Sequence, residues 1–377
     1  MFFLPLEEGH EPNSPKDATV IFQPPFLGLE RWQWWLLVAI NIAFVLVGQS
    51  VAVILGRFYY DQGGSSTWMA TLAQTAAFPI LFLPLFILPS HNLSTTIVTT
   101  TTISNQPSVA TITLIYISLG ILLAGDNMLY SIGLLYLSAS TYSLICGTQL
   151  AFNAIFSFFI NSQKFTVLIL NCVVLLTLST SLIAVDSDST EPEGVSIGKY
   201  VIGFLCTVSA SATYSLILSL MQLSFQKFLK RETFSVVLEM QIYTSLVATC
   251  VCIVGLFGSG EWRGLKGEME GFRKGRVSYV MTMVGAAVAW QVCSVGVVGL
   301  IFVVSSLFSN VISTLALPLV PVVAVIFYHD KMDGVKVVAM LLAIWGFTSY
   351  IYQQYLDGSK AKATQNDANE APGDFTS

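Results

Sequence analysis

Charge is what this chain has least of. Only 10% of its 377 residues are Asp, Glu, Lys or Arg, against about 25% in an average soluble domain, and this excludes a water-soluble fold of ordinary composition. No basic run is long enough to track a phosphate backbone, so a nucleic-acid partner is not expected. Residues 1–31 lack the basic start and long apolar core of a secretory signal. Histidine is scarce: His10, His91 and His329 fall in tails and connections, so no Ser-His or His-His pair is available inside an apolar run for an intramembrane enzyme. The six cysteines all fall inside apolar runs, which argues against a disulfide framework and makes them packing residues. Cys250 and Cys252 stand two residues apart, on different helix faces, with no histidine near them. No metal site and no cofactor are therefore expected.

What is present is apolar length. Hydrophobic residues make up 54% of the chain and mean hydropathy is +0.72. A membrane span needs about 20 apolar residues, and ten runs of that kind can be marked, at about 32–56, 66–88, 109–133, 140–160, 165–185, 197–223, 235–257, 278–303, 305–328 and 335–355. The expected fold is an all-α membrane protein of ten transmembrane helices, integral and multi-pass, with the lipid bilayer as its main solvent. Trp32, Trp34 and Trp35 beside Arg31 suit an interfacial belt at the start of the first run. Residues 1–31 form an expected mobile arm, and 357–377 are polar enough to be a disordered tail. The acidic, turn-rich stretch 186–196 is a linker between halves 32–185 and 197–356. The charged connection from Glu261 to Arg276 is long enough for an interfacial helix.

The halves are related. A shift of 166 lays GLLYLSASTYS (Gly133–Ser143) on GLIFVVSSLFS (Gly299–Ser309) without a gap, with four of eleven positions identical. The same shift brings Asp126-Asn127 within two residues of Trp290-Gln291, and one more residue puts Gln74 on Gln241. Five spans in each half require opposite orientations, the inverted-repeat plan of many secondary transporters.

Function should show in the few polar groups placed in lipid, because each is costly. Of 22 acids only Asp126 and Glu239 fall well inside spans, and none of the 17 Lys and Arg does. Carboxyls without a cation must be protonated, watered or matched to a donor on a substrate. That suits proton coupling through Asp126 or Glu239 and a neutral or weakly cationic cargo, and it disfavours phosphate esters, which need Lys or Arg. Asp126 can otherwise cap a broken helix, and Glu239 can snorkel to the interface. Gln49, Asn127, Gln149, Gln241 and Gln291 are candidate substrate amides; interhelical hydrogen bonding is their other role. Trp290, Tyr130 and Tyr142 are candidate stacking faces for a planar ring.

The runs Asp126–Thr166, Leu238–Thr249, Ser278–Lys336 and Ala343–Leu356 together resemble the plant purine permease family, part of the drug/metabolite transporter superfamily. The likeness extends over most of 32–357. It implies two inverted five-helix repeats, proton symport, and a purine-like small molecule as partner: adenine-type nucleobases and derivatives such as cytokinins. Members differ in cargo, so an alkaloid or a vitamin B6 form in the same fold, or a non-transporting receptor for such ligands, are the alternatives. The expected membrane is the plasma membrane, with an endomembrane as the other choice. An adenine edge presents a donor beside an acceptor, the pair that an Asn or Gln amide matches twice. The expected site lies at mid-membrane between spans one, three and four and spans six, eight and nine.

Overall fold

In a computed structural model, residues 31–87, 109–162, 196–229 and 234–316 are described, together with scattered residues within 166–182 and 334–356. The terminal arm, the tail, most of the linker, most of span five, part of span ten and the second half of span nine lie outside the described residues. Every described element is helical: α1 (Arg31–Asp61), α2 (Thr67–Ala73), α3 (Phe82–Ile87), α4 (Val109–Tyr136), α5 (Ala139–Cys146), α6 (Gln149–Asn161), α7 (Ile197–Lys227), α8 (Ser235–Ser259), α9 (Leu265–Gly271), α10 (Arg276–Val303) and α11 (Ser306–Ala316). Seven segments among the described residues are long and apolar enough to cross a membrane, beginning at Trp32, Thr67, Val109, Thr141, Ile197, Ser235 and Arg276. The chain is an all-helical, multi-pass membrane protein.

Two spans read as continuous are broken. The second stops at Ala73, turns, passes through a 3-10 turn at Phe78–Leu81 and resumes as α3. Pro79 falls in the 3-10 turn and Pro84 in the first turn of α3, positions where a missing backbone N–H is tolerated. The fourth is divided at Gly147-Thr148 into α5 and α6. The connection after α8 holds a short 3-10 turn, Glu261–Arg263, and then α9.

Helix starts repeat at nearly constant spacing: Arg31 and Ile197 are 166 apart, Thr67 and Ser235 168, Val109 and Arg276 167, Ala139 and Ser306 167. Helices α1 and α7 are each 31 residues long, and α4 and α10 each 28. The buried core separates into two ends. One joins Trp34, Val38 and Val45 of α1 with Tyr116 and Leu119 of α4, Ile217 to Phe225 of α7 and Cys293 to Ile301 of α10. The other joins Val53 and Tyr59 of α1 with Tyr130 and Leu134 of α4, Tyr200 and Ala210 of α7 and Tyr279 and Met283 of α10. Helices α1 and α4 therefore run from the first end to the second, and α7 and α10 run back.

Close packing rests on glycine. A Cβ on Gly48 of α1 would come within 2.8 Å of the Cys293 nitrogen, and one on Gly296 of α10 within 2.7 Å of the Asn41 carbonyl. Gly133 of α4 lies against Thr207 of α7, and Gly299 of α10 against Asn41 of α1; both members of this double pair are 166 apart. With lipid on the outside, such small residues let backbones approach and gain dispersion contact. A second reciprocal pair ties the broken helices together. Asn153 Nδ2 of α6 donates to the Ser306 carbonyl at 3.1 Å, and Asn310 Nδ2 of α11 donates to the Gln149 carbonyl at 3.0 Å. Each asparagine, on one helix, thus satisfies the first residue of the other. Arg57, at the second end, donates to the Leu134 and Leu137 carbonyls at 3.1 and 2.7 Å and pairs with Asp61 at 2.7 Å. It closes the C-terminus of α4, where a cation is favoured.

Gly296→Val should cost about 1–3 kcal/mol by overpacking, seen as a clear fall in thermal stability in detergent. Gly125→Ala on α4, where an added Cβ meets nothing within 4 Å, should be neutral or slightly stabilising in the same assay.

Candidate functional site

The break in the second span positions the site. Ser66 caps α2, its hydroxyl accepting from Met69 N, and the short helix ends at Gln74 against the middle of α4. There Gln74 Nε2 donates to the Asn127 carbonyl at 3.3 Å and to Ser131 Oγ at 2.9 Å, while Thr71 Oγ1 donates to the same Ser131 oxygen at 3.0 Å. Gln74 and Trp290 of α10 both line each of three adjoining pockets, which we treat as one vestibule. Its widest part, about 580 Å³ including space open to solvent, is flanked by Asn127, Tyr214, Gln241, Ser245 and Cys293 and continues along aliphatic Leu123, Ile217, Leu218 and Met221. A second part holds Gln49, Asp126, Tyr130, Tyr142, Cys146 and Gln149. A third arm leads past Ala73 and Tyr130 towards Tyr59 and Tyr60.

Eight of the ten residues singled out from the sequence line this vestibule: Gln49, Asp126, Asn127, Tyr130, Tyr142, Gln149, Gln241 and Trp290. Gln291 does not line any of its three parts; it is buried next to Trp290 with neither amide atom hydrogen-bonded. Glu239 is half-buried near the start of α8 and also lies outside the lining. Spans two and seven contribute walls through Gln74, Gln241 and Ser245, whereas α11, in the ninth span, supplies no lining residue to these three parts.

Asp126 is 1% exposed. Because α4 is continuous through Gly125-Asp126-Asn127, the side chain caps no helix start. Neither of its oxygens completes a hydrogen bond, although the Tyr214 backbone lies near it. The two ion pairs among the described residues are Arg57–Asp61 and Arg276–Glu270, so no cation answers this carboxyl. The amides differ in what they have free. Gln241 Nε2 is given to Ser245 Oγ at 3.0 Å, and Gln74 Nε2 is committed as described, so each offers the vestibule an acceptor. Asn127 and Gln49 make no side-chain hydrogen bond and keep donor and acceptor together. Among the described residues, no group of His, Cys, Asp and Glu is arranged to hold a metal ion.

The family model for purine nucleobase transmembrane transport matches residues 36–360. The chain is 62% identical over 359 residues to "Probable purine permease 11" of Arabidopsis thaliana, covering 95% of this chain and 93% of that relative. It is 57% identical to "Probable purine permease 13" (89% and 90% covered) and 55% identical to "Purine permease 21" (90% and 84% covered), both of Arabidopsis thaliana. The chain belongs to the purine permease family.

For a member of that family the vestibule has a consistent chemistry: a flat indole, several acceptors, the uncommitted amides of Asn127 and Gln49 with one bare carboxyl, and no Lys or Arg among its lining residues. Tyr214, Ser245, Cys293 and Cys146 were not expected at the site. A serine, a cysteine or a tyrosine in an apolar helix is most often packing, and nothing in its local sequence says that it faces a cavity. Gln74 carried a signal in its register with Gln241, 167 residues on; both line the widest part.

Asp126→Leu removes an unanswered buried polar group, which costs about 1–3 kcal/mol where it stands. The variant should unfold in detergent at the same temperature as the parent or a higher one; a large loss of stability would mean that Asp126 holds the helices together.

Proposed function

We propose that this chain is a proton-coupled secondary transporter of purine nucleobases and their N-substituted derivatives, cytokinins among them, built as ten helices in two inverted five-helix repeats. The observation that carries the reading is the adjacency on α4 of a carboxyl with no partner and an amide with no partner, both beside Trp290 in the vestibule. The inverted plan is supported by the constant spacing of helix starts, by the opposite run of α7 and α10 relative to α1 and α4, and by the reciprocal contacts Gly133–Thr207 and Gly299–Asn41.

In this reading Asn127 pairs with the donor-acceptor edge of the purine, and Trp290 stacks on its face. Gln74 and Gln241 accept from further N–H groups. The aliphatic extension through Leu123, Ile217, Leu218 and Met221 accommodates the apolar side chain of a cytokinin. A bare carboxylate here costs several kcal/mol, so Asp126 is carried through the cycle with a proton and gives it up when the vestibule is hydrated from the other side. Glu239, away from the lining, is the weaker candidate for that proton. An anionic cargo finds no cation in the lining and is rejected.

Reconstituted in vesicles, the chain should accumulate radiolabelled adenine only when a pH gradient is imposed. Asp126→Asn should abolish that accumulation while sparing adenine–adenine exchange; equal accumulation with and without a gradient in the parent overturns the coupling. Asn127→Leu should raise the half-saturation concentration for adenine roughly tenfold or more, since a lost paired amide costs about 1–3 kcal/mol.

A further inference from the structure

The arm of the vestibule towards Tyr59 ends in an aromatic plug held by a carboxylate from outside the membrane span. Tyr59 is fully buried; its ring lies 5.0 Å from that of Tyr60 and 6.0 Å from that of Tyr279, which in turn packs at 5.4 Å on Phe272. Gly64 lies directly against the Tyr59 ring, where any Cβ would collide with it. Glu268 of α9 gathers these parts. Its Oε1 accepts from the Tyr59 hydroxyl and from the Tyr279 hydroxyl at 3.2 Å, and its Oε2 accepts from Ser65 N at 3.0 Å, Ser65 Oγ at 2.9 Å and Ser66 N at 3.0 Å. Glu261 adds a second hold on the same turn, accepting from Ser66 Oγ at 2.6 Å and Trp68 N at 3.1 Å. Arg273 N donates to the Gln62 carbonyl at 3.0 Å. The connection between α8 and α10 is thereby strapped across the turn between α1 and α2, directly over the end of the vestibule.

The far part is lined differently, by aliphatic Ile217, Leu218, Met221, Val297 and Val298. By the constant spacing of helices, the connection equivalent to the strap is 88–108 in the first half, and that stretch contains no Asp, Glu, Lys or Arg. Charge-assisted bonds to a carboxylate are the strong ones, and several of them hold the mouth at the strap.

We propose that the Glu268 clasp is the gate of the mouth at the C-terminal end of α1, and that it biases the resting carrier towards conformations closed on that face. Glu268 and Tyr279 are gating residues that act through Tyr59, without contact to cargo. The gate rests on the carrier reading above, because a mouth opens and closes only if the vestibule alternates between sides. Its test uses no cargo and no proton gradient, so the gate can fail while purine transport stands, and the reverse.

The experiment places one cysteine in an otherwise cysteine-free full-length chain in vesicles, either Ala73→Cys in the strapped arm or Met221→Cys at the aliphatic end, and follows labelling by a hydrophilic maleimide supplied to both sides. Glu268→Gln should raise the labelling rate at 73 about fivefold or more and lower it at 221, as a shift between two states requires. Tyr279→Phe, which removes one hydroxyl and keeps the ring, should move both rates in the same directions by less. Unchanged labelling at 73 in both variants, or rates rising together at 73 and 221, overturns the proposal; the second result is what a loosened fold produces.

Discussion

A polar side chain placed in hydrocarbon has to find its partner inside the protein, and most of this structure can be understood as the ways in which that demand is met or left open. Along α7, Thr207, Ser211 and Ser215 return their hydroxyls to carbonyls one turn back at 2.7–3.0 Å. Across the bundle, Gln222 Oε1 accepts from Ser306 N at the start of α11 at 2.9 Å, and Asn153 and Asn310 donate to the Ser306 and Gln149 carbonyls. At the break in the second span Gln74 donates to the Asn127 carbonyl and to Ser131 in the middle of α4. These bonds allow proline and glycine to interrupt helices within a membrane without stranding backbone groups.

Some groups are left open. Outside the vestibule, the amide atoms of Gln291 and Asn161 are buried with none of them bonded. At the vestibule, Asp126 and the Gln149 Nε2 are buried without a partner, and Asn127 keeps a whole amide free beside a cavity. The vestibule also sits where the two helix series meet, α1 and α4 against α7 and α10, and glycines bring those helices close enough for their side chains to converge.

The same geometry separates what is symmetric from what is not. The glycine contacts Gly133–Thr207 and Gly299–Asn41 obey one spacing and appear in both halves. The charged strap from Glu261 to Gly275 lies in the second half, and the stretch at the same spacing in the first, 88–108, is without Asp, Glu, Lys or Arg. A bundle made from two like halves would favour its two opposite openings about equally, and an added clasp on one face is a direct way to give such a pair of states unequal populations. Specific function therefore enters through the departures from repetition: the carboxyl on α4, the indole on α10, and a charged connection whose counterpart by spacing holds no Asp, Glu, Lys or Arg.

How far the sequence reached differs from feature to feature. Membrane class, the positions of the long described helices and the short list of acids and amides followed from hydropathy, periodicity and the scarcity of charge, because the bilayer imposes its cost residue by residue along the chain. The breaks after Ala73 and at Gly147 were less legible, since proline and glycine in a lipid-embedded helix permit a kink without requiring one. The lining was legible only in part. Asp126, Asn127 and Trp290 lie at the vestibule, but Gln291, next in sequence to Trp290, does not line it, and Glu239 sits outside it. Composition by itself decided that this protein lives in lipid and carries few ionisable groups there. Tertiary structure alone decided which of those groups share a cavity and which carboxylates hold its mouth, because that depends on helix rotation and on contacts across 209 positions of sequence, from Tyr59 to Glu268, which no local pattern encodes.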